Sequence, residues 1–186
     1  MRLFLAVDLD DAARAAMAAE QSRIAKAVDR RALPKFVKAD QMHMTLVFLG
    51  EVDAPQSRDL IEAMQTRLQQ PSFDAVFDGI GMFPPREAPK ILWIGVTAGA
   101  HELIALQQEV AARAQALGFP LEKRPFQPHL TIGRWRDGRP RDRAAIRAVP
   151  PAAVNARVHI VCVPLYQSRL SPAGPAYTPL ARANLS

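Results

Sequence analysis

The chain has 186 residues, 49% of them hydrophobic and 23% charged, which is enough apolar material for a substantial core and argues against a disordered polymer. No apolar run approaches the roughly 18 residues of a membrane span, and the amino terminus meets an acid at Asp8, too soon for a secretory leader, so a soluble, cytoplasmic protein with a single domain over residues 1–186 is expected. The net charge of +6 suits a polyanionic partner, while the single cysteine, Cys162 between Val161 and Val163, excludes an internal disulfide and reads as a small buried hydrophobe.

Arg2 to Asp8 reads as a β-strand, and Asp10 can cap an alanine-rich helix that runs to about Arg30. A turn at Pro34 and a short strand at Phe36 and Val37 lead to an apolar strand that begins at His43 and is ended by Gly50. Ser57 opens a second helix, with Leu60, Ile61, Met64 and Leu68 at helical spacing, that stops before Pro71. Strands follow at Phe73 to Phe77 and Ile91 to Val96; the stretch from Gly81 to Lys90 between them is too rich in proline and glycine for a helix or a central strand. His101 to Leu117 is a helix closed by Gly118, and a second apolar strand comes after Pro125 and Pro128. Arg141 to Val149 is a short helix, and Val154 to Leu165 a long β segment interrupted by Pro164. A turn over residues 172–175 joins Tyr166 to Leu170 with a final strand around Ala176 to Leu180, as a hairpin. Helices alternating with antiparallel-looking strands favour an α+β sandwich of two lobes.

Two of these strands say nearly the same thing: Met42-His43-Met44-Thr45-Leu46 and Pro128-His129-Leu130-Thr131-Ile132. Positions i and i+2 of a strand share a face, so each offers an imidazole beside a hydroxyl, while Met44, Leu46 and Phe48, or Leu130 and Ile132, turn to the core. One such histidine is weak evidence, but its repetition in a matching context points to an old duplication that brings the two motif strands together. Two facing imidazoles can take a proton on one side of a phosphorus atom and deliver one on the other. His101 and His159 have no hydroxyl two residues on and are assigned structural or surface roles. No two histidines stand at i, i+4, and no cysteine cluster or carboxylate-rich motif lies beside them, so neither metal nor other cofactor is expected.

A basic cluster, Arg134, Arg136, Arg139, Arg141, Arg143 and Arg147, begins directly after the second motif and reads either as a solvated surface or as a site for an anion, with Arg134 the best candidate for the second. By parity Arg134 sides with Leu130 and Ile132; it reaches the cleft only if the strand ends or twists after Gly133. Trp135 and Phe48 could stack on a base, with core packing the favoured role for each.

The opening Arg2-Leu3-Phe4-Leu5-Ala6-Val7, the block from His43 to Glu51, Gly81-Met82-Phe83-Pro84, Ile91-Leu92-Trp93-Ile94-Gly95, the block from Pro125 to Ile132 and Leu165-Tyr166-Gln167-Ser168-Arg169-Leu170 together resemble the bacterial and archaeal RNA 2′,3′-cyclic phosphodiesterases, or 2′-5′ RNA ligases, of the two-histidine phosphoesterase superfamily. The resemblance spans nearly the whole chain. It implies a bilobal, pseudo-two-fold α+β sandwich of antiparallel sheets with outer helices, whose two motif strands face a central cleft that needs no metal. It further implies hydrolysis of RNA 2′,3′-cyclic phosphate ends to 2′-phosphomonoesters and, in some members, reversible joining of tRNA halves through 2′-5′ bonds. Carried onto matching positions, His129 resembles the general base and His43 the general acid, Thr45 and Thr131 the phosphate-binding hydroxyls, and Arg134 a basic residue that contacts phosphate. The expected partner is RNA bearing a cyclic phosphate end, met by a monomer. Two other readings stand beside this one: a phosphodiesterase for a small cyclic nucleotide such as an ADP-ribose cyclic phosphate, and a non-catalytic RNA-binding module.

Overall fold

The computed structural model describes residues 1–120, 124–171 and 174–186. In chain order these form β1 (Arg2–Asp8), α1 (Asp11–Ala27), β2 (Lys35–Phe36), β3 (His43–Glu51), α2 (Ala54–Ala63), β4 (Phe73–Phe83), β5 (Ile91–Ala98), α3 (Ala100–Ala116), β6 (Leu130–Arg134), α4 (Pro140–Arg147), β7 (Ala156–Ile160), β8 (Cys162–Ser171) and β9 (Gly174–Asn184). Two antiparallel sheets result, one ordered β3-β1-β8-β9 and the other β2-β6-β5-β4-β7. β1 lies between β3 and β8, and its run from Leu3 to Val7 is buried on both faces, which is why it reads as continuous apolar sequence.

Helix α1 starts where expected, with Asp10 Oδ1 accepting from the Ala13 amide at 2.7 Å, but it stops at Ala27, where Val28 turns extended. Its buried positions include Ala13, Met17 and Ile24, and the helix packs against β7 of the second sheet rather than staying with β1. Helix α3 reaches across in the other direction, from the end of β5 to β3 and β4. Full burial of side chains such as Met17, Ile24, Leu103 and Leu106 contributes about 1.5–3 kcal/mol each, so α1 is fastened to the second sheet and α3 to both, around one continuous core.

Other boundaries also differ from those read in the sequence. Helix α2 begins at Ala54, because Asp53 is the cap and accepts from the Gln56 amide at 2.8 Å; Ser57 sits inside the helix and donates back to the Ala54 carbonyl at 2.9 Å. It ends at Ala63 rather than before Pro71, and α3 holds the chain beyond it: Arg113 donates to the carbonyls of Thr66 and Arg67 at 2.7 Å each. Gly81, Met82 and Phe83 extend β4 past its pairing with β7 and are paired with β5. Glycine is required at 81 because the Trp93 ring of β5 covers it, and a Cβ would fall 2.0 Å from that ring. The segment from Val154 to Leu165 is two strands in different sheets, β7 pairing with β4 and β8 with β1 and β9, with exposed Val161 at the crossover. Pro164 is accommodated within β8 where the ladder to β1 has already ended, at Leu165. The final hairpin forms with a longer strand than expected, Gly174 to Asn184; Pro172 and Ala173 of its turn lie outside the described residues.

Candidate active site

Strands β3 and β6 meet between the sheets, and the cavity there, about 310 Å³, is lined by His43, Thr45, His129, Thr131 and Arg134 together with Phe48 and Tyr177. The two histidines are held alike. His43 Nδ1 lies 2.9 Å from the Gln41 carbonyl oxygen, and His129 Nδ1 lies 2.7 Å from that of Gln127. A carbonyl oxygen only accepts, so each Nδ1 carries a hydrogen and donates, and proton exchange falls to Nε2 in both rings. Aromatic neighbours fix the ring planes: Phe4 stacks on His43 at 4.7 Å and Tyr177 meets it edge-on at 4.9 Å, while Phe83 meets His129 edge-on at 5.0 Å.

A strict alternation would send the residue five places after each histidine into the core. Both strands break that alternation at the same place. Between β1 and β3 the pairing runs Ala6 to Thr45 and then Leu5 to Val47, so Leu46 is an extra residue; between β5 and β6 it runs Trp93 to Thr131 and then Leu92 to Gly133, so Ile132 is extra. Each is a β-bulge, and it reverses the facing of the residues directly after it; in β3 a second shift, at Leu49, follows Phe48. Leu46 and Val47 are accordingly both buried, as are Ile132 and Gly133. Phe48 therefore leaves the core for the cavity wall and is 52% exposed, which corrects its assignment to the apolar face of the strand. Arg134 comes into the cavity through a distortion one residue earlier than the one anticipated after Gly133. Trp135 packs in the core, as favoured, with Nε1 donating to the Ala32 carbonyl at 2.9 Å.

Burial holds both imidazoles below the usual histidine range, and the Arg134 charge pushes both in the same direction. Asp8, opposite His43 in the β1–β3 ladder, acts on His43 alone and offsets part of the effect. The Asp8 carboxylate is itself oriented by the Tyr166 hydroxyl, which donates to its two oxygens at 2.9 and 2.8 Å. Burial, with the bond to Asp8 next, drives the Tyr166 phenol well above its ordinary value, so it remains a donor. The surroundings of the two otherwise matched histidines thus differ in charge by the Asp8 carboxylate, which favours protonated His43, and by the Arg14 guanidinium, which opposes it.

Among the described residues Arg134 is the one member of the basic cluster that lines this cavity. Arg136, Arg139, Arg141 and Arg147 are exposed, whereas Arg143 is buried and serves the fold, donating to the carbonyls of Glu87, at 2.9 Å, and Pro84. His101 is exposed at the start of α3, and His159 is an exposed partner of Asp74 at 2.8 Å, both as assigned. Cys162 is only partly buried, because it sits at the start of β8 beside the crossover. Among the described residues no three His, Cys, Asp or Glu side chains gather closely enough to hold a metal ion. Tyr177, Asp8 and Gln41 carry no motif and were not singled out in the sequence; the alternation of Tyr177 with Pro179 signals a strand but not which wall it joins.

Fold and cavity together define an α+β protein of two antiparallel sheets whose strands β3 and β6 bring matched histidines to one cleft. The chain matches the model of the 2′-5′ RNA ligase superfamily over residues 10–168 and belongs to that superfamily. It is 34% identical over 180 residues to the RNA 2′,3′-cyclic phosphodiesterase of Archaeoglobus fulgidus, covering 97% of this chain and 98% of that one. It is 31% identical over 146 residues to the enzyme of the same name from Escherichia coli K12, covering 78% and 77%. Among solved structures it is similar to E. coli LigT complexed with 3′-AMP, with a TM-score of 0.80 and 31% identity over 100% of this chain and 98% of that one. A Thermus thermophilus protein, TT0787, gives a TM-score of 0.81 and 29% identity, with 99% and 97% covered. The sequence resemblance and the α+β fold it implies are both borne out.

Proposed function

We propose that the protein is an RNA 2′,3′-cyclic phosphodiesterase that opens the cyclic phosphate to a 2′-phosphomonoester, with His129 as proton acceptor and His43 as proton donor. The observation that carries this reading is the matched pinning of both Nδ1 atoms to backbone carbonyls around one cavity, which leaves two Nε2 atoms free to exchange protons. Neutral His129 takes a proton from water as the water oxygen bonds to phosphorus. The bond from phosphorus to the 3′ oxygen breaks, and protonated His43 donates to that oxygen, leaving the phosphate on the 2′ oxygen. Asp8 supports giving the acid role to His43, since a neighbouring carboxylate favours the protonated ring against burial and the opposing charges of Arg134 and Arg14. The Thr45 and Thr131 hydroxyls and the Arg134 guanidinium are assigned to the non-bridging oxygens, where charge redistributes during the reaction.

With an RNA 5′-hydroxyl in place of water, the same steps form a 2′-5′ bond, and their reversal cleaves one. RNA ending in a cyclic phosphate, tRNA halves included, is the proposed partner, and the +6 charge suits it. The protein is taken to act as a monomer in the cytoplasm, its 186 residues forming one unit around the cleft; no helix among the described residues is long and apolar enough to cross a membrane. One observation favours a second reading, a small cyclic nucleotide as substrate: a cavity of about 310 Å³ is at the small end of ligand sites, and Arg134 is its one lining residue from the basic cluster.

The test is product analysis by phosphorus NMR on an oligonucleotide ending in a 2′,3′-cyclic phosphate, in excess chelator. Appearance of the 2′-phosphate is expected. A 3′-phosphate would exchange the acid and base assignments, and absence of turnover with RNA binding intact would favour the non-catalytic module.

A further inference from the structure

We propose that Gln21, on α1 behind the cavity wall, is the positioning residue that sets Arg134 into the cavity. The proposal rests on the assignment of Arg134 to the substrate phosphate.

Arg134 faces the cavity only because Ile132 is bulged, and a bulge leaves the local ladder incomplete. Gln21 meets the bulged residue on its other side, at the carbonyl that faces the segment after β2. Its Nε2 donates to the Ile132 carbonyl at 2.8 Å and to the Val37 carbonyl at 2.8 Å, so both amide hydrogens are committed to the backbone. The Val37 amide donates to the same Ile132 carbonyl at 3.0 Å, and Val37 itself lines the cavity. α1, the segment after β2 and the bulge of β6 are thereby joined at one point.

The identity of the residue argues for a purpose other than packing. Gln21 is 9% exposed on a helix face whose neighbouring inward positions are Met17 and Ile24, where an apolar side chain would serve the core as well. An amide at this position is matched to two carbonyls, one of them on the residue that makes the bulge. Without it the Val37 carbonyl loses its bond from Gln21, and the wall between Val37 and Arg134 is free to relax toward a regular register, in which residue 134 would face the opposite side.

The experiment is a double-mutant cycle of Gln21→Met and Arg134→Ala, read by kcat and KM on 2′,3′-cyclic AMP and by inhibition with inorganic phosphate, with thermal unfolding followed in every variant. Gln21→Met should lower kcat/KM about tenfold or more and weaken phosphate inhibition in parallel, while costing little further once Arg134 is alanine. An equal loss in both backgrounds, or activity like that of the parent, would overturn the proposal. If Arg134→Ala itself leaves kcat/KM unchanged, the assignment of Arg134 to phosphate fails first and the role of Gln21 with it. Should Gln21→Met not fold, Gln21→Asn carries the same cycle, since it keeps the amide on a stem too short to span both carbonyls.

Discussion

Phe48 and Arg134 hold the same place in the two halves of the molecule. Each is the fifth residue after its motif histidine, each follows a one-residue bulge, and each ends on the cavity wall. One backbone device therefore delivers a cation on one side and an aromatic ring on the other. The Phe48 ring is backed by the Arg2 guanidinium, 5.0 Å from its centroid. Phe48→Ala should raise KM on a cyclic nucleotide several-fold with a smaller effect on kcat, because a stacking face of about 1–3 kcal/mol per base is lost. Thermal stability should barely change, since the ring is half exposed. A large drop in melting temperature would return Phe48 to the core.

Both histidines should be needed for turnover and neither for folding. His43→Ala and His129→Ala should each lower the rate on a 2′,3′-cyclic phosphate by about 100-fold or more, as loss of general acid or base catalysis does. Circular dichroism and melting curves should stay near those of the parent. Parent-like activity in either variant would remove the two-histidine mechanism.

Proton NMR titration of the imidazoles should place both pKa values below the ordinary histidine value, as burial and Arg134 require. Asp8→Asn removes a negative charge that favours protonated His43, so the His43 pKa should fall further while that of His129 stays nearly constant. The protonated fraction of His43 at neutral pH falls with it, and so should kcat/KM. A shift of His129 instead of His43 would show that Asp8 does not distinguish the two rings.

The arginines should separate by position. Arg134→Ala should weaken mononucleotide and oligonucleotide substrates alike, whereas Arg139→Ala or Arg141→Ala, both exposed and outside the cavity, should affect only the longer substrate and reduce the steepness of its salt dependence. Arg143→Ala should instead cost stability, about 1–3 kcal/mol, because its buried guanidinium satisfies the Glu87 and Pro84 carbonyls. Kinetics across a salt series, with melting temperatures for each variant, check all four. Equal salt response for both substrate lengths would make the exposed cluster an ordinary solvated surface.

Much of this architecture was legible because its signals are local. The buried run from Leu3 to Val7, the Asp10 cap and the His-x-Thr repeats each depend on a few neighbouring residues. What escaped depends on partners far along the chain. Parity carried the assignments of His43, Thr45, His129 and Thr131, then failed at Phe48 and needed an exception at Arg134, because a register slip is a property of two strands and leaves no mark in one. Gly81 looked like part of a turn; its reason is the Trp93 ring across the ladder. Ser57 and Asp53 are both good caps by type, and only the amide that Asp53 meets decides between them. Tyr177 depended on where a hairpin would dock.

The crossover at Val161 makes the chain finish where it started. The first sheet is opened by β1 and β3 but completed by β8 and β9, after every strand of the second sheet has been made. A chain emerging from a ribosome thus carries His43 long before it carries Tyr166, which orients Asp8, or Tyr177, which braces the His43 ring. The second sheet can assemble around His129 while the other half of the cavity still lacks a wall, so the surroundings of His43 are completed only by the last two strands, and a nascent or prematurely ended chain would hold both histidines without Tyr166 and Tyr177 beside them.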